Sequence, residues 1–512
     1  NLGYGNANGG NRQNYFEAAI NYNRRFGNDH SVTGLLLYNQ RENIDASAGN
    51  VIASLPSRLQ GYVGRLTYGY KEKYFVEGNF GYNGSENFAP EKRFGFFPSI
   101  GIGWVVSSES FFDGLSNTIQ FLKLRYSNGN VGSASGGRRF GFLTVVADNA
   151  GGFTFGNGVQ GDANSGFGGV RVDAYGYPIG WSTSHKQNLG IEFRTLNSHL
   201  NVIVDFFKER RTDVLIQRGS LPAYVGLNNT PFASVGVMDN AGVDGTIEGN
   251  GLKLGVFNLD LRATFTYNRD KLIENDAPTQ PHPYMERRGF NVLSNYGYVA
   301  EGLFQNQREI DNWADQSALG GKPRPGDIKY KDLNSDGLIN NLDVRRIGNG
   351  DVPNLVWGGG FNLSYKSFYI GAFFQGISGA VRQLGGDGII PFNNSTGAER
   401  SNLFAVAQDR WTEENPNPNA FYPRLAYGNG PNKNNSVASS WWIKDIDFVR
   451  LKTLDLGVNL PSKWVQKAGF RNAKIYGQGL NLLYWSPFKL WDPELNTGNG
   501  SSYPNTRNFT IG

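Results

Sequence analysis

The sequence contains no cysteine, which excludes disulfides, thiolate metal sites and cysteine nucleophiles. Only 18% of the 512 residues are charged, and the 49 basic and 44 acidic side chains are interspersed, so no basic stripe marks a nucleic-acid surface. No apolar run approaches the roughly 18 residues of a membrane helix, and residues 1–10 are not a signal peptide. Strands of about 9–11 alternating residues could still cross a membrane.

Signals for catalysis are also missing. The four histidines, His30, His185, His199 and His282, are far apart in the sequence. The motifs of zinc proteases, serine hydrolases and phosphate-binding loops do not occur, and no two carboxylates stand out as a glycosidase pair. The sequence therefore predicts a protein that is not an enzyme.

The sequence is rich in residues that favour turns and strands, with 69 glycines and 14% aromatic residues. Segment 257–268, FNLDLRATFTYN, alternates apolar and polar residues throughout. Its apolar face is either the core of a soluble sandwich or the lipid face of an outer-membrane barrel. About fifteen strands of this kind are predicted, near 15–26, 31–42, 61–70, 74–84, 96–106, 119–129, 187–196, 199–210, 240–250, 256–268, 355–365, 368–378, 446–460, 472–484 and 506–512.

The connections between these strands alternate in length. Tight turns are predicted at 27–29, 71–73, 197–198 and 366–367, and long polar segments at 130–185, 211–238, 269–350 and 379–440. Transmembrane barrels have short turns on one rim and long loops on the other. The pattern predicts an all-β, transmembrane antiparallel β-barrel with 269–350 and 379–440 as long extracellular loops, and a short periplasmic helix at 461–471 begun by Pro461 and Ser462.

Aromatic residues concentrate around the turn at 71–73: Tyr62, Tyr68, Tyr70, Tyr74, Phe75, Phe80 and Tyr82. An interfacial girdle of a membrane barrel has this distribution. Cross-strand aromatic pairing in a soluble sheet is the alternative.

The stretch KYKDLNSDGLINNLDVRRIG, 330–349, has the spacing of an EF-hand calcium loop at 332–343, with Gly337 at the sharp turn. Oxygens at alternate positions converge on a cation as the chain curls, so a calcium ion is the predicted ligand. Leu338 would contribute its backbone carbonyl, Asn340 would act directly or through water, and Asp343 replaces the usual longer Glu. The alternative is a series of Asx turns with Gly337 at positive φ and no metal. The candidate ligands are Asp332, Asn334, Asp336, Leu338, Asn340 and Asp343.

Five blocks of sequence resemble the SusC/RagA family of TonB-dependent outer-membrane transporters, and the resemblance spans roughly 53–512. They are PSRLQGYVGRLTYGYKEKYFVEGNFGYNGSENFAPEKRFGFFPSIGIGWVVSSESFF (56–112), FLKLRYSNGNVG (121–132), GDIKYKDLNSDGLINNLDVRRIGN (326–349), FVRLKTLDLGVNLPSKW (448–464) and GQGLNLLYWSPFKLWDPELN (477–496).

The resemblance implies a barrel of about 22 strands with a plugged lumen in the bacterial outer membrane. It further implies import of oligosaccharides or oligopeptides beneath a SusD-like surface lipoprotein, energised through TonB acting on the plug. Against the family pattern, the sequence lacks the signal peptide, the TonB box, the plug and about seven leading strands. Because an open sheet exposes an unpaired edge, we expect this chain to be the C-terminal barrel part of a longer protein.

Two other functions are open at this stage: a structural subunit of a larger outer-membrane assembly, and a secreted β-rich carbohydrate-binding protein. Residues predicted to face the lumen, where they would contact substrate, plug or one another, include Glu192, Arg194, Asp260 and Arg262. Six tryptophans in predicted loops would stack on sugar rings, contact the lipoprotein or pack within the loops: Trp313, Trp411, Trp441, Trp442, Trp485 and Trp491.

Overall fold

The computed structural model describes residues 10–45, 54–134, 139–150, 169–386, 388–391, 405–426, 433–467 and 469–512. Parts of the predicted loops 130–185 and 379–440, and position 468 of the predicted helix, lie outside the described residues. The chain divides into two compact units, the first made of 1–198, 203–242 and 270–278, the second of 199–202, 243–269 and 279–512. None of the described helices is long and apolar enough to cross a membrane.

The described residues form strands and a few short helices. The strands are β1 (Asn11–Phe26), β2 (His30–Asp45), β3 (Ser57–Tyr70), β4 (Tyr74–Ser85), β5 (Phe94–Val105), β6 (Ile119–Ser133), β7 (Val145–Ala150), β8 (Gly169–Ala174), β9 (Ser182–Thr195), β10 (Leu200–Gln217), β11 (Phe232–Leu254), β12 (Phe257–Glu274), β13 (Asn295–Gly297), β14 (Ala300–Leu303), β15 (Ile328–Tyr330), β16 (Arg345–Gly348), β17 (Leu355–Tyr365), β18 (Phe368–Ser378), β19 (Val381–Gln383), β20 (Ile443–Asp445), β21 (Phe448–Asn459), β22 (Lys474–Trp485) and β23 (Asn508–Ile511). The α-helices are α1 (Gln307–Asp311), α2 (Lys433–Ser436) and α3 (Ser462–Lys467).

Fifteen of these strands belong to the main sheet, and all fifteen were predicted. In the first unit the order is β1-β2-β3-β4-β5-β6-β9, and in the second it is β17-β18-β21-β22-β23, while β10, β11 and β12 have residues in both units. Neighbours pair antiparallel, as between β3 and β4 and between β17 and β18. The predicted strands β10, β11 and β12 were too short, because their ladders continue past the alternating run to Gln217, from Phe232 and to Glu274.

The four predicted tight turns are confirmed, and left-handed residues close them. Lys71 and Glu72, each at φ 53°, lie between the paired ends Tyr70 and Tyr74. Gly27 at φ 60° and Lys366 at φ 51° serve the same purpose in two other hairpins. Such residues suit tight hairpins because their twist matches that of the strands. The predicted helix near 461–471 is α3, and Gly469 follows it at φ 78°.

The apolar face of the main sheet is exposed. In β5, exposure alternates along the strand, and Phe96, Ile100 and Ile102 are 59%, 54% and 53% exposed. The apolar side chains Phe257 and Tyr267 of β12 are likewise exposed. In a soluble sandwich this face would be the buried core, whereas in an outer-membrane barrel it faces lipid. The sheet therefore favours the membrane alternative.

The predicted aromatic girdle matches this face, with one correction. Tyr62 and Tyr82 are register partners and both are exposed, as are Tyr68 and Tyr74 at the turn end of their strands. Phe75 was wrongly included, because successive strand residues point to opposite faces. Its ring lies on the other side of the sheet, 5.5 Å from the Lys123 ammonium group.

Outside the main sheet, the second unit contains a hydrophobic core shared by two long segments. We call the described residues of 279–354 and 379–447 the loop module. Leu303, Ile328 and Tyr330 from the first segment pack in one cluster with Trp411 and Trp442 from the second. The predicted long loops 269–350 and 379–440 are therefore not separate, because their described parts contribute to one core.

Ile328 tests this shared core. Its side chain is 0% exposed, so Ile328→Ala should destabilise the loop module by about 2–5 kcal/mol through lost burial and a residual cavity. Limited proteolysis of the full-length protein in detergent, with the cleavage sites mapped, measures this as faster cutting within both segments. Leu293→Ala is the matched control, because Leu293 is 54% exposed in the same module. Equal cutting rates for the two variants would contradict a shared core.

Candidate functional site

A buried polar network joins the two segments of the loop module. Asp327 is 2% exposed, pairs with the Arg424 guanidinium at 3.1 Å and accepts a hydrogen bond from Asn435 Nδ2 at 2.9 Å. Gln316 Nε2 donates to Asn434 Oδ1 at 2.7 Å. Buried polar groups require such partners, and these partners are about a hundred residues apart in sequence. Sequence reasoning missed all five residues because no local pattern announces pairing at that separation.

Tyrosines in the same network are embedded in protein. The Tyr330 hydroxyl donates to the Asn434 carbonyl oxygen at 2.7 Å, and burial raises the Tyr330 pKa far above its usual range. The Tyr422 hydroxyl donates to the Ile389 carbonyl oxygen at 2.6 Å, and burial raises the Tyr422 pKa to about 12. Both phenols are thus neutral structural donors.

Most of the six predicted tryptophans serve packing in the loops. Trp411 and Trp442 are each 3% exposed, and Trp442 Nε1 donates to the Asn435 carbonyl oxygen at 2.7 Å. Trp313 Nε1 donates to the Tyr330 carbonyl oxygen at 2.8 Å. Stacking on cargo is wrong for Trp411 and Trp442, whose rings are enclosed. Trp441 and Trp491 are partly buried against the module core, and Trp485 is 53% exposed at the end of β22.

On the amino-terminal side of the calcium-type loop, the side-chain oxygens accept hydrogen bonds from the loop's own amides. The Asp332 carboxylate accepts hydrogen bonds from the backbone amides of Ser335 at 2.7 Å and Gly337 at 2.8 Å. Asp336 accepts from the Leu338 amide at 2.8 Å and from Asn334 Nδ2 at 2.8 Å. Gly337 has φ 81°, which confirms the predicted positive φ. Side-chain oxygens therefore curl back onto the loop amides, as in consecutive Asx turns.

At the other end of the loop, Asp343 is 0% exposed and accepts from the amides of Leu333 and Asn340, both at 2.8 Å. Asn340 Oδ1 accepts from the Leu342 amide at 2.8 Å, so it caps its own turn. The Tyr284 hydroxyl donates to the Leu342 carbonyl oxygen at 2.8 Å, and burial, with the negative charges of Asp343, Asp332 and Asp336, raises the pKa of Tyr284.

The donor set consists of the carboxylate and amide oxygens that Ca²⁺ prefers. In the part of the chain that the structure describes, no three His, Cys, Asp or Glu side chains gather as a metal cluster. Calcium binding by Asp332, Asn334, Asp336, Leu338, Asn340 and Asp343 stays a prediction.

Charged side chains line strands of the main sheet. In the first unit, Arg125 pairs with Glu192 at 2.9 Å and with Asp205 at 2.6 Å, and the Arg194 guanidinium lies 4.6 Å from the Phe121 ring. The side chains of Glu192 and Arg194 are thus engaged with neighbouring strands, one of the alternatives predicted for them.

The second unit also contains charged side chains with partners, on or beside strands of the main sheet. Asp260 accepts from the Gly251 amide at 2.7 Å, and Arg262 lies 3.6 Å from Glu248. Arg450 on β21 is 1% exposed and pairs with Asp492 and, at 2.7 Å, with Glu494. A buried Arg persists only with such partners. Arg450 and its partners were missed, although Asp492 and Glu494 lie in one of the blocks that carry the family resemblance.

Solved structures with a similar fold exist. No family model matches the sequence. The structure is similar to the RagAB peptide importer in its closed-closed state, with a TM-score of 0.71 at 21% identity over 98% of this chain and 55% of that chain. The open-open state of RagAB matches with the same TM-score over 98% and 54%. The chain therefore shares the fold of the matched part of RagAB.

The sequence is similar to several TonB-dependent receptors. The chain is 28% identical over 514 residues to TonB-dependent receptor P26 of Formosa agariphila, covering 95% of this chain and 49% of that protein. It is 24% identical over 474 residues to TonB-dependent receptor SusC of Bacteroides thetaiotaomicron, covering 89% and 43%. The chain spans about half the length of the curated relatives it matches. These relatives confirm the resemblance to the SusC/RagA family of TonB-dependent receptors and place the protein in the bacterial outer membrane.

The calcium-type loop generates one prediction. Replacing both Asp332 and Asp336 with Asn keeps acceptor oxygens for the loop amides but removes two negative charges, so calcium binding should be lost. In the wild-type full-length protein, added Ca²⁺ should slow proteolysis within 330–349 relative to a chelator, and the double variant should show no such difference. A wild-type protein cut at the same rate with Ca²⁺ and with chelator would sink the calcium assignment.

Glu286, next to this loop, generates a pH prediction. Hydrogen bonds from the Arg288 side chain and from the backbone amides of Arg288 and Arg287 lower the Glu286 pKa from 4.5 to about 2. The resulting stabilisation is therefore complete above pH 4.5 and is lost as the pH falls toward 2. Because the side chain is 28% exposed, screening limits it to about 1 kcal/mol.

Glu286→Gln should abolish this part of the pH dependence. Thermal unfolding of the full-length protein, followed by tryptophan fluorescence between pH 6 and pH 2, should show a wild-type advantage that shrinks on acidification. Parallel pH profiles for wild type and variant would contradict the assignment.

Proposed function

We propose that this chain is the barrel portion of a transporter that imports oligosaccharides or oligopeptides across the outer membrane, with a SusD-like surface lipoprotein and energy supplied through TonB. The observation that carries the proposal is the two-sided main sheet in a RagAB-like fold. One face exposes apolar residues such as Ile100 and Ile102, while charged side chains such as Arg125 and Glu192 pair across neighbouring strands. A lipid-facing surface with a polar lumen has this arrangement.

The charged clusters support a wet lumen. Ionised groups are costly in a low-dielectric environment unless they are paired and reach water. The Arg125, Glu192 and Asp205 set keeps Arg125 partly exposed, at 37% of its side chain. Arg450, at 2% of its side chain, is held by two carboxylates instead. A lumen wall lined with such paired charges would let polar cargo pass without binding to apolar side chains.

The loop module supports a role in retaining cargo or partner. Long loops of the barrel class normally vary and move, yet 279–354 and 379–447 share a core and a buried polar network. A pre-ordered surface binds with a smaller entropy cost than a loop that must order on binding. The module is therefore suited to hold a lipoprotein partner. Of the cargo classes, peptides are in the name of the similar structure RagAB.

Uptake by cells tests the proposal. A strain that lacks the full-length gene, its complemented counterpart and a strain without TonB would be supplied with fluorescent oligosaccharides and oligopeptides in parallel. Accumulation of one cargo class should require both the gene and TonB, and a surface lipoprotein should co-purify in detergent. If envelope integrity, and not uptake, depends on the gene, a structural subunit replaces the transporter.

A further inference from the structure

A cavity of about 330 Å³ lies in the first unit, where β10 ends and β11 begins. This is the strand end remote from the tight turn at 196–199. One wall is formed by the end of β8 and the segment after it, which contribute Asp173, Tyr175 and Tyr177, and the other wall contains Gln217, Asn229, Thr230 and Phe232. Three aromatic rings and four other polar side chains thus surround one cavity.

The wall that carries the tyrosines is anchored. Ile179 is 3% exposed, and its amide donates to the Tyr177 carbonyl oxygen at 2.6 Å. The Tyr177 amide donates to the Gly141 carbonyl oxygen at 3.1 Å. A Cβ at Gly176 would meet the Phe142 carbonyl oxygen at 2.4 Å, so this backbone packs too closely for any other residue. The two rings are therefore held by fixed backbone, as a pre-formed site requires.

The opposite wall is held by an ion pair outside the cavity. Arg218 Nε pairs with Asp276 at 2.6 Å, and the Ser220 hydroxyl donates to the same carboxylate at 3.1 Å. The Arg218 amide donates to the Pro231 carbonyl oxygen at 2.9 Å. Burial alone would raise the Asp276 pKa, but the hydrogen bonds from Arg218 and Ser220 lower it. The Asp276 carboxylate is therefore ionised at neutral pH. Gln217 precedes Arg218 in the sequence, so these contacts of Arg218 fix the backbone beside Gln217.

Polar groups at the cavity are left available. Among the described residues, the side chains of Tyr175, Tyr177 and Gln217 make no hydrogen bond. Asn229 Nδ2 donates to the Asp173 carbonyl oxygen at 2.7 Å, which leaves its own amide oxygen as an acceptor. Two phenols and two planar amides therefore offer donors and acceptors at one place.

The cavity favours a neutral ligand. Its one lining carboxylate, Asp173, is already paired with Arg171 Nε at 2.8 Å. Its volume is at the low end of ligand sites, which span about 300–1,000 Å³, so it suits a ring and not an extended chain. A sugar ring has an apolar C–H face for aromatic packing and hydroxyls at its edge for amides and phenols. A peptide would bring charged ends or need a row of backbone partners.

We infer that this cavity binds one ring of a neutral oligosaccharide, with Tyr175 and Tyr177 packing on the ring and Gln217 and Asn229 bonding its hydroxyls. The inference rests on the proposed transport function for its biological role. It narrows the cargo to the sugar class and places a cargo contact at the long-loop end of β10 and β11.

Binding to the detergent-extracted full-length protein tests the site. The probes are neutral hexasaccharides of glucose, mannose, galactose, xylose and fructose, titrated calorimetrically, with a mixed pentapeptide pool as competitor. At least one hexasaccharide should bind, and Tyr175→Ala or Tyr177→Ala should weaken it by about tenfold or more. Gln217→Ala, which removes an amide that makes no hydrogen bond within the described residues, should also weaken it. Tyr224→Ala is the matched control, because Tyr224 is 88% exposed and outside the cavity.

The outcomes separate the site from the transport function, because binding in detergent needs no TonB. No binding by any hexasaccharide, unchanged affinity in Tyr175→Ala, Tyr177→Ala and Gln217→Ala, or displacement by the peptide pool at the same residues each overturns the sugar site. Binding lost in these variants, in a protein that takes up nothing in cells, supports the site and overturns transport. Unchanged heat-dependent gel mobility shows that each variant is folded.

Discussion

The constraint on which the structure depends is that backbone N–H and C=O groups have no water partner in a hydrocarbon layer. Every strand must therefore find its partners on a neighbouring strand, as β1 and β2 do over sixteen paired positions, from Asn11 with Asp45 to Phe26 with His30. Strand length, antiparallel order and tight turns all follow from this requirement. The same pairing places apolar side chains on one face, where Ile100 and Ile102 are exposed, and leaves charged side chains to pair across neighbouring strands.

Charges and polar groups away from the lipid face are managed by pairing. Arg125 stays partly in solvent between two carboxylates, while Arg450 is enclosed and depends on Asp492 and Glu494. Removing one partner of an enclosed pair costs about 3–5 kcal/mol, because the other charge is left buried without a partner. In the loop module, Asp327 and Gln316 meet the same requirement with amides and a guanidinium from a distant segment. The module is therefore ordered by specific contacts and not only by apolar packing.

The strands could be predicted from the sequence because the alternation of apolar and polar residues along a strand involves only sequence neighbours. All fifteen strands of the main sheet, the four tight turns and α3 could be predicted, and so could the positive φ of Gly337. The errors have equally physical causes. Phe75 was assigned to the wrong face of β4, and β10, β11 and β12 continue past the alternating segments because backbone pairing does not require alternating side chains. For Trp411 and Trp442, the sequence left stacking on sugar rings open beside packing within the loops, because the residues that enclose both rings come from another part of the chain.

The sequence by itself determined which segments are strands, which connections are long and which family the chain resembles, since each depends on residues that are neighbours in sequence. Only the tertiary structure decided that 279–354 and 379–447 share one core, that Arg450 is buried among carboxylates, and that Tyr175 and Tyr177 face Gln217 and Asn229 across one cavity. These arrangements join residues tens to a hundred positions apart. Their energies come from burial and pairing between segments, and no local pattern encodes which distant segment supplies the partner.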